Sequence, residues 1–322
     1  MTTIEWTDET WNPVVGCSRV SAGCDHCYAM GVAHRFAGVN VAFAGLTKLR
    51  PKDASRPGVD WTGEVRTLPE RLGEPLRWRK PRKVFVNSMS DLFHRDVPFE
   101  FIAAVFGVMA ATPQHTFQVL TKRPERMFEF FRWLPASSSL AAVLNELWAY
   151  AIMNGIEHNE ISRRFSGSLR WPLRNVHLGV SVEDHATADA RIPLLLGAQS
   201  IAVRFVSYEP ALGPVDFTNV GLPGFPHDRY DALRGLYRGD IKGHRLNWVI
   251  VGGESGPGAR PFDIAWARRT VADCRAAGVP VFVKQLGALP IGDIAVECRL
   301  TDRKGGDWNE WPEDLRVREV PA

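Results

Sequence analysis

The stretch NWVIVGGESG, residues 247–256, has four apolar residues in a row, Trp248 to Val251, and then turns to glycine and charge. A half-exposed strand alternates polar and apolar side chains. An unbroken apolar run belongs to a strand covered on both faces, as in a parallel sheet. Five more stretches share the pattern: KVFVNSMSD from Lys83, TFQVLTKRP from Thr116, NVHLGVSVED from Asn175, VRFVSYEP from Val203 and VPVFVKQLG from Val279. A strand around WNPVVGC, Trp11 to Cys17, precedes them and brings the expected number to seven. Helical patterns lie between, such as FEFIAAVFGVMAA (Phe99 to Ala111) and DIAWARRTVADCRAAG (Asp263 to Gly278), the second closed by Gly278 as a C-terminal stop. Alternating strands and helices imply an α/β fold with right-handed crossovers, a barrel or a doubly wound sheet.

The chain of 322 residues is 45% hydrophobic and 23% charged, an ordinary globular composition with room for one barrel. We read one domain, 1–322, with two oversized crossovers. The first, at 125–174, carries the segment SLAAVLNELWAYAIMNG (Ser139 to Gly155). The second, at 213–247, is rich in Pro, Gly, His and Arg, and a small element follows at 290–322. Such insertions are usually lids or binding loops. The N-terminal MTTIEWTDETWNPV has no apolar core of a signal peptide, and the run from Phe101 to Ala111 is too short to span a bilayer. The expectation is a cytoplasmic protein with no membrane partner.

A formal net charge of +3 says little about partners, but its distribution says more. RWRKPRK (Arg77 to Lys83) and TKRPERM (Thr121 to Met127) read either as solvated loop charge or as a phosphate-contacting patch. Lys122 and Arg123 end the third strand. The second insertion adds Arg229, Arg234, Arg238, Lys242 and Arg245, with Tyr230 and Tyr237 available to stack on an extruded base. Nucleic acid is therefore the expected partner. Each strand also ends in polar residues, among them Asn87, Ser88 and Asp91, Ser181 and Glu183, Ser207 and Glu209, and Lys284 and Gln285. In barrels these ends and the loops after them form the active-site face.

GCSRVSAGCDHCYAM, residues 16–30, holds Cys17, Cys24 and Cys27, three of five cysteines. In a reducing compartment clustered thiols suggest a metal rather than a disulfide. Zinc requires a fourth ligand, with His26 or His34 at hand; a cubane [4Fe–4S] cluster on three thiolates leaves one iron open. Spacing alone does not separate the two. Position does, since a structural zinc gains nothing from facing a cavity and an open iron does. Cys274 and Cys298 are isolated thiols.

C-x6-C-x2-C at the start of an incomplete barrel resembles the radical S-adenosylmethionine (SAM) superfamily, whose usual spacing is C-x3-C-x2-C. More narrowly, WNPVVGCSRVSAGCDHCYA, VFVNSMSDLFH, LTKRPERM, LGVSVE, YEPALGPV, VIVGGESGPGARP, VKQLG and GGDWNEWP resemble phage- and prophage-encoded three-cysteine-motif proteins. The resemblance implies an incomplete parallel (β/α) TIM-like barrel of six to seven strands. It implies that Cys17, Cys24 and Cys27 ligate a [4Fe–4S] cluster and that S-adenosylmethionine binds beside it. His26 would sit near the adenine. Ser88, Ser90 and Asp91 would take the place of the superfamily's Gly-Gly-Glu, and Ser181, Glu183 and Glu209 would contact the ribose and amino acid. The implied activity is reductive cleavage of SAM to a 5′-deoxyadenosyl radical acting on nucleic acid, a lyase of the spore photoproduct type or a base-modifying enzyme. Its electron donor would be a flavodoxin or ferredoxin. The rival expectation is a non-catalytic, zinc-stabilised nucleic-acid-binding protein.

Overall fold

Seven strands form one sheet: β1 (Glu9–Trp11), β2 (Lys83–Val86), β3 (Thr116–Thr121), β4 (Val176–Val182), β5 (Val203–Tyr208), β6 (Trp248–Gly252) and β7 (Val281–Gln285). Their order across the sheet is their order along the chain, and the pairings β1–β2, β2–β3, β5–β6 and β6–β7 are parallel. The computed structural model describes residues 4–51, 58–134, 140–159, 172–198, 201–292 and 300–321. Every residue of β4 and of β6 is buried, as the unbroken apolar runs require. The fold is α/β, a seven-stranded parallel sheet flanked by helices.

The helices are α1 (Tyr28–Phe36), α2 (Phe99–Ala110), α3 (Pro124–Trp133), α4 (Leu140–Met153), α5 (His185–Gly197) and α6 (Ile264–Ala277). Parallel neighbours need a crossover, and helices supply it after β2, β3, β4 and β6. Asp263 caps α6 by accepting from the Ala265 amide at 2.9 Å, and Gly278 ends it in the left-handed region at φ 64°, where its missing Cβ removes the penalty. α2 is apolar on every side because α4 covers its outer face. Gly107 permits the approach, since a Cβ there would run into the Leu147 carbonyl.

Two features differ from the sequence expectation. The first sheet strand lies earlier than WNPVVGC: Glu9–Trp11 pairs with β2, whereas Val14–Val15 pairs antiparallel with Arg66–Thr67. Pro13 separates the two; without an N–H it cannot continue a ladder. The 213–247 excursion is a folded antiparallel sheet of Val220–Leu222, Phe225–Asp231, Leu236–Tyr237 and Ile241–Lys242. Cys298 lies outside the described residues.

Packing divides the chain into two compact units. One comprises residues 1–177 with 200–202; the other comprises 178–199 with 203–322.

Candidate metal centre

The cysteine loop leaves the end of β1 and rests on a small core of its own. Val15, Met30, Phe43, Leu46 and Trp61 are buried there, and Cys17 and Cys27 pack against them. Gly16 holds φ 87°, and a Cβ would collide with the Glu64 carbonyl, so only glycine turns the chain here. Its amide donates to the Met89 carbonyl at 3.2 Å, which fastens the loop to the segment after β2. Cys24 ends a 3-10 turn, the Cys27 amide donates to the Cys24 carbonyl at 3.4 Å, and Cys27 is the N-cap of α1.

All three thiols are free and half-buried, and they act on one another: Cys27 on Cys17, and Cys24 on Cys27. Burial pushes the Cys17 thiol up to about 12, against the pull of Arg123. Burial also raises Cys27, while the Ala29 and Met30 amides and Lys122 favour its thiolate. Both thiols are therefore protonated at neutral pH until a metal displaces the protons. Among the described residues, no three His, Cys, Asp or Glu side chains lie close enough together to hold one metal ion. His34 instead shares a hydrogen bond with the Thr47 hydroxyl at 3.2 Å, and His26 is half-buried in the loop between Cys24 and Cys27.

A polar network backs the loop. Arg123 places Nη1 3.7 Å from the Cys17 sulfur and 2.9 Å from Asp91 Oδ2, while its Nη2 donates to the Ser18 carbonyl at 2.8 Å. Asp91 is 5% exposed, and both of its oxygens are filled: Oδ1 by the Thr121 hydroxyl and the Phe93 amide, Oδ2 by Arg123 and the Lys122 amide. His94 is 1% exposed and sits 2.8 Å from the Ser18 hydroxyl. Burial and Arg123 hold its pKa below the ordinary value, so it is neutral. Around His94 Nδ1 lie the Asp96 amide at 3.3 Å and the Asp96 carboxylate at 3.5 Å. Ser18 and His94 escaped the sequence reading. The signal available was a histidine closing the apolar pair in SDLFH, residues 90–94.

These contacts show where the expected site residues lie. Asp91 has no lone pair facing outward for an amino group; it orients the loop and Arg123. Arg123, expected on a phosphate track, is an internal donor because the buried carboxylate demands a counter-charge. The Lys122 charge acts on Cys27. Ser88 and Ser90 are bonded within the protein as well, Ser88 donating to the Asn12 side-chain oxygen at 3.1 Å and Ser90 to the Val14 carbonyl at 2.8 Å. Their neighbour Asn87 is different. It sits at φ 60°, is 3% exposed, accepts from the Val14 amide at 3.3 Å, and leaves its Nδ2 donor buried with no hydrogen-bond partner.

In the second unit the strand-end acids are all paired. Glu183, 1% exposed, meets Arg191 at 3.1 Å, and Arg191 also donates to the Ser181 carbonyl at 2.8 Å. Glu209 meets Lys284 at 2.6 Å, and Glu254 meets Arg260 at 2.6 Å. Two of the insertion's basic residues are paired as well, Arg234 with Asp231 and Arg238 with Asp228. Tyr230 and Tyr237 direct their hydroxyls to the His244 carbonyl at 2.5 Å and to Asp228 at 2.6 Å.

A family model described as "Protein of unknown function (DUF5131)" matches residues 1–312. The chain belongs to the DUF5131 family. No curated protein and no solved structure matches it. The match takes in all three cysteines of the loop, Asp91, His94 and Arg123, so the whole centre lies within the DUF5131 region.

Proposed function

We propose that this DUF5131 protein is an iron–sulfur enzyme of the radical SAM kind, with its cluster on Cys17, Cys24 and Cys27 and its sheet an incomplete (β/α) barrel. The observation that carries the reading is the set of three half-buried thiols that act on one another beside Arg123 and Lys122. Zinc draws its thiolates into one small tetrahedron, whereas a cubane puts each thiolate on a different iron and keeps the sulfurs further apart. A cubane on three thiolates leaves one iron open to a cofactor, which favours the cluster over the zinc alternative. When bound, such a cluster delivers an electron to S-adenosylmethionine and opens radical chemistry that no side chain provides.

The chain's own part is electrostatic and geometric. Arg123 and Lys122 bring positive charge to Cys17 and Cys27, which lowers the cost of holding thiolates in a half-buried loop. Asp91 and Ser18 hold the Arg123 guanidinium against the Cys17 sulfur. Asn87, at the end of β2 where the superfamily has Gly-Gly-Glu, keeps a buried donor for an acceptor on the bound cofactor; an unpaired buried amide is otherwise costly. Of the cations that suggested a nucleic-acid track, Arg123, Arg234 and Arg238 are each paired with a carboxylate, so the reading rests on the cysteines.

Anaerobic reconstitution tests it. We expect about four irons and four sulfides per chain, lost on replacing Cys17, Cys24 or Cys27 with Ala and kept in Cys274→Ala. SAM should then be cleaved to 5′-deoxyadenosine under reducing conditions. One zinc per chain with no iron after anaerobic expression overturns the proposal.

A further inference from the structure

Within the second unit, the insertion and α5 enclose a cavity of about 340 Å³ that the cysteine chemistry does not use. One wall is the end of α5, with Pro193, Leu196 and Gly197; the other is Val220, Leu222 and Phe225. The walls are tied together. The Gly221 amide donates to Asp189 of α5 at 2.7 Å, and a Cβ on Gly221 would come within 2.9 Å of the same carboxylate. Phe225 is 61% exposed at the lip.

The far end holds Asp228, Tyr230, Tyr237 and His244. Tyr230 and Tyr237 are directly paired across two antiparallel strands, so their rings share one face of the small sheet. Hydrogen bonds from both hydroxyls hold the rings in place before any ligand arrives, which removes part of the ordering cost of binding. Gly243 crosses against the Tyr230 hydroxyl with no room for a side chain. Among the described residues of the lining, Asp228 is the only carboxylate. Tyr237 occupies its Oδ2 at 2.6 Å and Arg238 its Oδ1 at 3.0 Å, and each oxygen has a second lone pair. His244 is held neutral by burial and the nearby Arg204. An anion gains nothing from such a lining; a neutral ring with an N–H donor does.

We propose that this cavity binds an uncharged, amino-substituted heteroaromatic ring of nucleobase size, its faces against the apolar and tyrosine walls and its N–H directed at Asp228. The proposal is independent of the cluster. It is tested by titrating cytidine into the full-length protein and following binding by calorimetry, with uridine, which carries a carbonyl in place of the amine, as the comparison. Cytidine should bind saturably and uridine at least about tenfold more weakly, because in the same pose uridine turns its C4 carbonyl on the carboxylate, while its N3–H lies one ring position away from Asp228. Asp228→Asn should erase the preference, and Phe225→Ala, at an exposed position, should weaken both ligands while circular dichroism and melting show an intact fold. The Cys17→Ala, Cys24→Ala, Cys27→Ala triple variant should bind cytidine as the wild type does, which separates this cavity from the cysteine centre. No saturable cytidine binding by the folded wild type, equal binding of the two nucleosides, or indifference to both substitutions would overturn the assignment.

Discussion

Asp91 and Arg123 are the pair on which the centre turns. With the carboxylate 5% exposed and the guanidinium side chain 14% exposed, removing one partner strands a buried charge. Arg123→Met should therefore destabilise the protein by about 3–5 kcal/mol in denaturant titrations. Arg123→Lys keeps the charge but not the fork that reaches Asp91, Ser18 and Cys17 together, so it should restore only part of that loss. His177 makes a separate prediction. Burial, with help from Lys83, lowers its pKa from 6.5 to about 4, and its Nδ1 has no hydrogen-bond partner. A base with a depressed native pKa stabilises the fold while it is neutral, so its contribution is complete above pH 6.5 and is lost as the pH falls toward 4. The loss should reach about 3 kcal/mol, and His177→Leu should flatten that part of the acid limb. An acid limb unchanged in the variant would mean that His177 is solvated or paired in solution.

At the scale of elements, two glycines decide geometry where propensity alone points the other way. Gly107 lies inside α2, where alanine is the better helix former by about 1 kcal/mol. Its missing Cβ, however, is what lets the Leu147 carbonyl of α4 approach. Overpacking costs about 1–3 kcal/mol, so Gly107→Ala should destabilise on balance, measured as a lower denaturant midpoint. Gly16 acts on function through shape. Alanine there meets both the left-handed φ of 87° and the Glu64 carbonyl. Gly16→Ala should reduce iron retention after reconstitution although all three cysteines remain, with a stability cost of about 2 kcal/mol. Full iron loading in that variant would show that the loop adapts without its turn.

At the scale of the whole molecule, β7 ends the strand order and would present an open edge, but the C-terminal element covers it. The Val283 amide donates to the Val317 carbonyl at 2.8 Å, the Glu319 amide donates to the Val281 carbonyl at 3.0 Å, and Phe282 bridges antiparallel to Arg318. Trp311, 1% exposed, anchors the element through its indole N–H on the Gly305 carbonyl at 3.0 Å. Removing residues 308–322 should expose an apolar edge strand and shift the protein into aggregates detectable by light scattering. A monodisperse truncated protein would show that the edge is protected by other means.

Six of the seven sheet strands, the helices at Phe99 and Asp263 and the Gly278 stop were legible in the chain, because burial on both faces writes unbroken apolar runs and helix ends follow local backbone rules. The cysteine cluster was legible for the same local reason, three thiols within eleven residues. The position of β1 was misread because Val14–Val15 is as apolar as a sheet strand, and only its partner, Arg66–Thr67, distinguishes it. Which polar residues face the cysteines was not legible at all. Arg123 reaches Cys17 across 106 positions and Asp91 across 32. A sequence shows charges without their partners, so Lys122 and Arg123 read as a surface for phosphate. Tertiary structure paired Arg123 with a buried carboxylate and set it beside the Cys17 thiol, because a charge removed from water must find its opposite wherever the fold brings one within reach.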